Sequence, residues 1–283
     1  MEGGQKMNSA SNIRIGFCTP QKFMLPGTDR ILTDACETAT YAARLAAHAG
    51  FDYMEYNVAY LMSLRPDALD ALCRINRTLD TPIETANGYF PVGLSLYRNS
   101  WTEIEDYVAE SLRRMALLGV DTVVFGSGNA RNIPDGMDTE QASVILTRFL
   151  HLLLHYCRNH GVTPVIEPLN HHDCNCLCTL ADGADFILRN DLSDLFLMAD
   201  SFHMHIENES TDHLTRYASL IRHIHICDND RHFCGRTDRE HPDAFLHALI
   251  SSGYCSRISL ECIYDSFPAD LSAAASYLQK HLH

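Results

Sequence analysis

The chain has 283 residues, of which 46% are hydrophobic and 20% are charged. This balance excludes a disordered or fibrous protein, and the length is close to the roughly 250 residues of one eight-stranded α/β barrel. The formal net charge of −14 argues against a nucleic-acid partner, because binding to phosphate backbones depends on clusters of basic side chains.

The sequence also gives an expectation about the compartment. No stretch approaches the roughly 20 apolar residues that span a bilayer, and the start, MEGGQKMNSASNIRIG, lacks the apolar core of a signal peptide. The 11 cysteines are an odd number without CxxC spacing, which is typical of reduced thiols. We therefore expect a cytoplasmic protein with no membrane partner.

After a small, polar segment at residues 1–12, predicted to be a flexible tail, strand and helix patterns alternate along the chain. Buried strands are predicted at residues 13–18, 51–56, 82–86, 121–125, 163–167, 195–200, 221–228 and 257–261. Helices are predicted at residues 33–50, after Pro66, and at 101–118, 139–160 and 180–188. Because no linker divides these units, we predict a single (β/α)8 TIM barrel over residues 13–283.

Four of the predicted strands carry polar side chains at or near their C-terminal ends. Strand five leads into Glu167, strand six into Asp200 and strand eight into Glu261, while strand seven carries His225. The active site of a barrel of this kind lies at these strand ends. A buried carboxylate needs compensation for lost hydration, and a divalent cation supplies it. The alternative for each residue taken singly is a salt bridge or a cap.

Three carboxylates and one imidazole suit one divalent metal ion. Such a mixed set of oxygen and nitrogen donors is typical of Mn²⁺, Co²⁺ or Mg²⁺, with Zn²⁺ as an alternative. Cys174, Cys176 and Cys178 lack the CxxC spacing of a structural zinc site, so we do not predict one there.

The order of several motifs carries a resemblance to a known family. VIEPLNHHDCN, ADSFHMHIE, HIHICDNDRHFCG and ISLEC give the series E-P-L-N, D-x-x-H, H-x-x-x-x-x-R and a final strand-end Glu. This series resembles the sugar phosphate isomerase/epimerase family of xylose isomerase-like barrels, which includes the D-tagatose 3-epimerase group, over nearly the whole barrel. The resemblance implies a metal site formed by Glu167, Asp200, His225 and Glu261. It also implies that Glu167 and Glu261 form the catalytic acid/base pair on opposite faces of the substrate.

The same resemblance implies the substrate contacts. His203 and Arg231 match residues that hold substrate oxygens, and the spacing to Arg231 selects His225 rather than His223 as the metal ligand. His223 is then a wall residue. Where the family usually has Glu, this chain has Asp173, which leaves the identity of the substrate open. Relatives of this kind are often dimers or tetramers, so a homo-oligomer is expected.

The chemistry predicted for this set is proton transfer at a carbon next to a carbonyl group. A metal ion chelated by the carbonyl and a neighbouring hydroxyl stabilises the cis-enediolate that forms when the proton leaves. Return of a proton from the opposite face is epimerisation, and return to the adjacent carbon is aldose–ketose isomerisation. We therefore predict a metal-dependent epimerase or isomerase that acts on a small sugar or sugar phosphate.

Several alternatives stay open at this point. Hydroxypyruvate isomerases and inosose dehydratases share the scaffold. An endonuclease IV-like nuclease needs three zinc ions and a basic surface, against the net charge, and a sugar-binding barrel without turnover has no use for the paired glutamates. The loop GSGNARNIPDG is either a plain connection or a phosphate cradle with Arg131 as its charge partner. Glu55 and Glu84 either line the pocket or form ordinary ion pairs.

Overall fold

The computed structural model describes residues 13–237 and 240–282, so the tail predicted at residues 1–12 lies outside the described residues. The described strands are β1 (Arg14–Cys18), β2 (Phe23–Met24), β3 (Ile31–Leu32), β4 (Tyr53–Asn57), β5 (Ile83–Asn87), β6 (Thr122–Phe125), β7 (Thr163–Ile166), β8 (Phe196–Asp200), β9 (Ile221–Ile226) and β10 (Arg257–Leu260). The described helices are α1 (Ala35–Ala49), α2 (Val58–Ser63), α3 (Pro66–Asn76), α4 (Trp101–Leu118), α5 (Gly128–Arg131), α6 (Thr139–His160), α7 (Leu180–Arg189), α8 (Ser201–Ile206), α9 (Asp212–Arg216), α10 (Glu240–Ser251) and α11 (Phe267–Leu282).

Eight of these strands close into a barrel in the order β1-β10-β9-β8-β7-β6-β5-β4, and every neighbouring pair is parallel. The predicted (β/α)8 barrel is confirmed, and each predicted strand overlaps an observed one. The bounds differ by one or two residues: β4 begins at Tyr53 and not at residue 51, and β9 ends at Ile226 and not at residue 228, after which the chain turns into a loop.

Local signals in the sequence explain where the long helices begin and end. Asp34 accepts hydrogen bonds from the first backbone N–H groups of α1, and Ser100 with Glu103 forms a capping box at the start of α4. Gly50 ends α1 in the left-handed conformation, with φ of 92°, which a side chain would disfavour. These caps set the lengths of the crossovers and so the position of each following strand.

The interior of the barrel is divided into an apolar part and a polar part. Val124, Val165 and Met198 form a separate buried cluster on β6, β7 and β8. Val165 and Met198 each lie two residues before a predicted metal ligand, and alternate residues of a strand share one face. This cluster therefore forms an apolar floor beneath Glu167 and Asp200 at the ends of β7 and β8. The polar part of the interior includes β4 and β10, where the buried hydroxyl groups of Tyr53 and Ser259 form a hydrogen bond of 2.9 Å.

An ion-pair network accounts for Glu84, which was predicted to line the pocket or to form an ordinary ion pair. Its carboxylate accepts hydrogen bonds from Arg14 at 2.5 and 2.9 Å and from Arg257 at 2.8 Å. Arg257 also pairs with Asp121 at 2.5 and 2.8 Å. Arg14 and Arg257 begin β1 and β10, so the network lies at the N-terminal end of the barrel, opposite the candidate site, and the ion-pair interpretation is confirmed.

The remaining small sheet is an antiparallel pair, β2 and β3, in the connection between β1 and α1. The strands have two residues each, which is too short to give a periodic pattern, and they were not predicted. Within the described part of the chain, no helix combines the length and the apolar character that crossing a membrane requires.

Candidate functional site

The structure brings the four predicted metal ligands together at the C-terminal end of the barrel. Glu167 follows β7, Asp200 ends β8, His225 lies on β9 and Glu261 follows β10, so four successive strands each contribute one side chain. One ligand atom from each lies within 4.8 Å of the others. The site thus gathers three carboxylates and one imidazole around one point.

The unpartnered nitrogen of His225 supports a metal site directly. Nδ1 of His225 is buried and has no hydrogen-bond partner among the described residues, and it lies 3.4 Å from Glu261 Oε2 and 4.0 Å from Glu167 Oε1. A buried nitrogen without a partner is costly. Because a metal ion among these groups would use that lone pair, the residues present fit a divalent cation with an O/N donor set.

Glu55 on β4 holds the other nitrogen of His225. Its Oε1 lies 2.9 Å from His225 Nε2, and its Oε2 lies 2.7 Å from His223 Nε2. Oε2 also accepts hydrogen bonds from Thr85 at 2.9 Å and Ser259 at 2.5 Å. Since a carboxylate only accepts, His225 donates through Nε2, and in the neutral ring Nδ1 then keeps the lone pair that could bind a metal ion. His223, predicted as a wall residue, lies wholly buried below the ligands.

Arg231 closes the site from the loop after β9. It donates to Asp200 Oδ2 at 2.9 Å and to Glu261 Oε2 at 2.5 Å. Its φ is 65°, a left-handed conformation that is unusual outside glycine. A hydrogen bond of 2.7 Å from the backbone N–H of Ile263 to the carbonyl of Arg231 holds the loop in place. The strained backbone conformation of Arg231 thus directs its guanidinium towards Asp200 and Glu261, two of the predicted ligands.

The backbone around Glu167 is fixed by a buried arginine. Arg131 is fully buried and donates to the carbonyls of Glu167 at 2.5 Å and Phe125 at 3.4 Å, and to Cys174 Sγ at 3.3 Å. Its guanidinium therefore faces the protein interior, and the structure does not support the phosphate cradle considered for this loop. Gly126 packs against the carboxylate of Glu167 so closely that any Cβ at residue 126 would overlap it.

The predicted substrate contacts line the same opening. His203 on α8 is buried, and its Nε2 lies 3.7 Å from both Glu167 Oε1 and Asp200 Oδ2. The side chain of Asp173 is 55% exposed and lies at the rim, where it accepts a hydrogen bond of 2.8 Å from Asn170. Asn87, which was not among the predicted site residues, donates to Glu261 Oε1 at 3.3 Å.

The charges of the site shift the pKa values of its carboxylates in opposite directions. Burial, and next the charge of Glu261, raise the pKa of Glu167. Burial acts on Glu261 in the same sense, but His225 and Arg231 outweigh it and lower the pKa of Glu261. Burial likewise opposes ionisation of Glu55, yet His225 and His223 hold its pKa well below the usual range. Glu55 is therefore ionised, as the bonding to both histidines requires.

A cavity of about 240 Å³ opens above the ligands and is lined by Asn87, Gly88, Gly126, Ser127, Glu167, Leu169, Asp173, His203, Arg231 and Glu261. Pockets for drug-sized ligands run from about 300 to 1,000 Å³, so this one suits a smaller molecule. A larger cavity, of about 500 Å³, lies between the β2–β3 hairpin and the start of α11. Among the described residues, none of those that line this larger cavity belongs to a cluster of side chains that could hold a metal ion.

Comparisons with known proteins agree with this geometry. Residues 43–281 match the model of a family described as xylose isomerase-like TIM barrel. A 3-dehydro-D-guloside 4-epimerase of Escherichia coli K12 is 33% identical over 84 residues, which are 29% of this chain and 32% of that protein. An L-ribulose 3-epimerase of Mesorhizobium japonicum is 34% identical over 102 residues, 36% of this chain and 34% of that protein. The chain thus matches about a third of the length of these relatives.

A solved structure extends the similarity to the whole barrel. The apo form of a 3-keto-D-glucoside 4-epimerase from E. coli superimposes with a TM-score of 0.75, over 95% of this chain and 99% of that one. The sequence identity is 20%, so this likeness concerns the fold.

Proposed function

The chain belongs to the xylose isomerase-like TIM barrel family, and on that premise we propose that it is a metal-dependent epimerase or isomerase of a small sugar. The observation that carries the proposal is the set of Glu167, Asp200, His225 and Glu261, which converge around one point beneath a small polar cavity. The two curated relatives described above are named as epimerases of sugar derivatives, which agrees with it.

The cofactor we propose is one divalent ion, Mn²⁺, Co²⁺ or Mg²⁺, with Zn²⁺ as the alternative. The three carboxylates and Nδ1 of His225 would hold it. When bound, such an ion acts as a Lewis acid and stabilises negative charge that develops on substrate oxygens. The ionised Glu55 behind His225 is the kind of partner that orients a metal-binding imidazole.

Glu167 and Glu261 are the proposed acid/base pair. They extend from β7 and β10, which are separated by two strands, and both line the cavity. A planar group bound between them would have one carboxylate towards each face. One glutamate removes the proton next to the carbonyl and the other returns a proton to the opposite face, which inverts the carbon.

The remaining polar groups orient the substrate. His203 presents Nε2 to the cavity, and Arg231 presents its guanidinium between two carboxylates. Asp173, exposed at the rim, is placed to accept hydrogen bonds from hydroxyl groups of the part of the sugar that projects outward. A substrate bound in this way is held at a carbonyl end and at a hydroxyl end.

The charge of the cavity favours an unphosphorylated sugar over a sugar phosphate. Among the described residues that line it, Arg231 is the one arginine or lysine, and Glu167, Asp173 and Glu261 are acidic. Arg131 is directed into the protein and is not available to an anion. With a divalent ion bound, the four carboxylates of Glu167, Asp173, Asp200 and Glu261 still outweigh the three positive charges of the ion and Arg231. A phosphate group would meet net negative charge, while hydroxyl groups can donate to these carboxylates.

Proton exchange tests the proposal. Protein that contains one Mn²⁺ per chain is incubated in D2O with a panel of ketoses and ketose phosphates, and the loss of C1 and C3 proton signals is followed by NMR. Deuterium at C3 with an inverted product establishes epimerisation, and label at C1 or C2 establishes isomerisation. No exchange with any member of the panel, at full metal occupancy, contradicts the proposed function.

Two further predictions accompany this function. Assembly as a dimer or tetramer is expected and is measured by light scattering coupled to size-exclusion chromatography, where a monomer at all concentrations contradicts it.

A cytoplasmic location is expected as well, and fractionation of cells that express the tagged chain tests it.

A further inference from the structure

The two ring nitrogens of His203 face different surroundings. Nε2 points into the cavity, 3.7 Å from Glu167 Oε1 and 3.7 Å from Asp200 Oδ2. Nδ1 points away from it, towards the loop that follows β7. Which nitrogen carries the proton decides whether His203 offers the cavity a hydrogen-bond donor or an acceptor.

Asn170, in that loop, directs two nitrogen atoms at Nδ1 of His203. Its backbone N lies 3.3 Å from Nδ1 and donates to it, and its side-chain Nδ2 lies 2.7 Å away. Both residues are buried, with 2% of Asn170 and 5% of His203 exposed. Solvent therefore does not compete for this contact.

The partners of Asn170 fix the orientation of its amide. Oδ1 accepts a hydrogen bond of 2.9 Å from the backbone N–H of His172, a group that can only donate. Nδ2 donates to Asp173 Oδ2 at 2.8 Å. A carboxylate oxygen accepts hydrogen bonds, so the atom that faces it is the amide nitrogen. The atom at 2.7 Å from His203 is therefore the amide nitrogen, and its second N–H points at Nδ1.

One neighbour favours the opposite arrangement. Asp173 Oδ2 lies 3.8 Å from Nδ1 of His203, and an N–H at Nδ1 could be attracted to it. That separation exceeds a hydrogen bond, and the nearer amide of Asn170 already occupies the space towards Nδ1. Because two N–H groups of Asn170 already point at Nδ1 of His203, a hydrogen on Nδ1 itself would clash with them. The two shorter contacts with Asn170 therefore outweigh the longer one with Asp173, and Nδ1 carries no hydrogen.

We propose that Asn170 is a positioning residue that holds His203 as the neutral tautomer with its hydrogen on Nε2, so that His203 donates to an oxygen of the bound substrate. This rests on the proposed function for the identity of the substrate, but not for the tautomer itself. A donor at this point can bind a carbonyl or a hydroxyl oxygen, and its hydrogen bond strengthens as that oxygen gains negative charge. It also leaves proton removal to the two glutamates.

NMR of the ring nitrogens tests the tautomer without reference to activity. Protein labelled with ¹⁵N-histidine is saturated with Mg²⁺, and two-bond ¹H–¹⁵N correlations distinguish protonated from unprotonated nitrogens. Because the chain has 16 histidines, the signals of His203 are identified by their loss in His203→Gln. We expect an unprotonated Nδ1 and a protonated Nε2. A protonated Nδ1 in the wild-type protein overturns the proposal, whether or not any variant folds.

Asn170→Asp tests the role of the amide. It replaces the donor at Nδ1 with an oxygen that only accepts, so Nδ1 of His203 should become protonated, and turnover should fall by roughly 10²- to 10³-fold, as for loss of one donor to a developing oxyanion. Asn132→Asp is the matched control, because Asn132 contacts the backbone of Asp173 and Asn175 but not His203. It should leave the nitrogen signals of His203 unchanged.

The two readouts separate the inference from the proposed function. A nitrogen spectrum of His203 that is unchanged in folded Asn170→Asp overturns the positioning role, even if the protein epimerises sugars. Absence of turnover on any sugar contradicts the proposed function, while the shift of the proton from Nε2 to Nδ1 in that variant still establishes what Asn170 does.

Discussion

Glu55→Gln isolates the contribution of a buried carboxylate that would not touch the metal ion. Glu55 accepts hydrogen bonds from His225 at 2.9 Å, His223 at 2.7 Å, Thr85 at 2.9 Å and Ser259 at 2.5 Å. Glutamine has nearly the same shape but carries no charge and has an NH2 group in place of one acceptor. The hydroxyl groups of Thr85 and Ser259 can turn to accept from that NH2. His223 can move its hydrogen to Nδ1, which has no partner among the described residues, and accept through Nε2. The amide oxygen therefore stays towards His225. The hydrogen bond to His225, the proposed metal ligand, then survives, but Glu55 no longer contributes a negative charge.

The magnitude follows from the loss of that charge. An ionised partner makes the opposite nitrogen of a ligating imidazole more basic, and removal of such partners typically weakens metal binding by about 10- to 100-fold. This corresponds to about 1.4 to 2.7 kcal/mol of binding free energy. If the NH2 group faced His225 instead, Nε2 would have to accept, the hydrogen would move to Nδ1, and the loss would exceed this range.

Titration of metal-depleted protein with Mn²⁺, followed by the EPR signal of the free ion, measures the affinity. Glu84→Gln is the control, because Glu84 pairs with Arg14 and Arg257 at the other end of the barrel and lies in no group of candidate ligands. Glu55→Gln should weaken binding by about 10- to 100-fold and Glu84→Gln should not. An affinity of folded Glu55→Gln within about twofold of wild type, a change of only about 0.4 kcal/mol, would refute the reasoning.

Three further predictions concern the ligands. Glu261→Gln should keep the melting temperature within a few degrees but reduce turnover by about 10²- to 10⁴-fold, because an amide cannot accept the proton. Near-normal turnover would contradict the assignment of Glu167 and Glu261 as the acid/base pair. Gly126→Ala should displace the carboxylate of Glu167 and reduce turnover by about 10²-fold, and a steady-state assay that finds no reduction shows that Glu167 is not held where the structure places it. Mn²⁺ at 100 times its dissociation constant should stabilise the fold by about 2.7 kcal/mol. For a chain of 283 residues this is a rise in melting temperature of about 4 to 5 °C, which Asp200→Asn abolishes; equal rises in both proteins contradict the ligand assignment.

The barrel and the convergence of Glu167, Asp200 and Glu261 were predictable because each depends on a short, local pattern. A buried parallel strand is a run of apolar residues, and the residue that follows it lies at the C-terminal end of the barrel. VIE, LMAD and ISLE therefore place Glu167, Asp200 and Glu261 without any knowledge of how far the strands are staggered.

The contacts of Glu55 and Asn170 could not be predicted in the same way. Glu55 on β4 reaches His225 on β9 across the interior, and β1 and β10 lie between them. Which side chains meet there depends on strand stagger and on layers built from non-adjacent strands, which no local pattern encodes. Asn170 contacts His203 through the conformation of a loop, and Arg231 adopts a backbone conformation that its residue type disfavours.

The most direct test of the central claim is the metal dependence of solvent proton exchange. The sugar that exchanges fastest in the panel is incubated in D2O with wild-type protein after chelation, and again after addition of one equivalent of Mn²⁺, with Glu261→Gln loaded in parallel. The account predicts exchange in the reconstituted wild-type protein alone. Equal rates of exchange in the chelated and the reconstituted protein would contradict it.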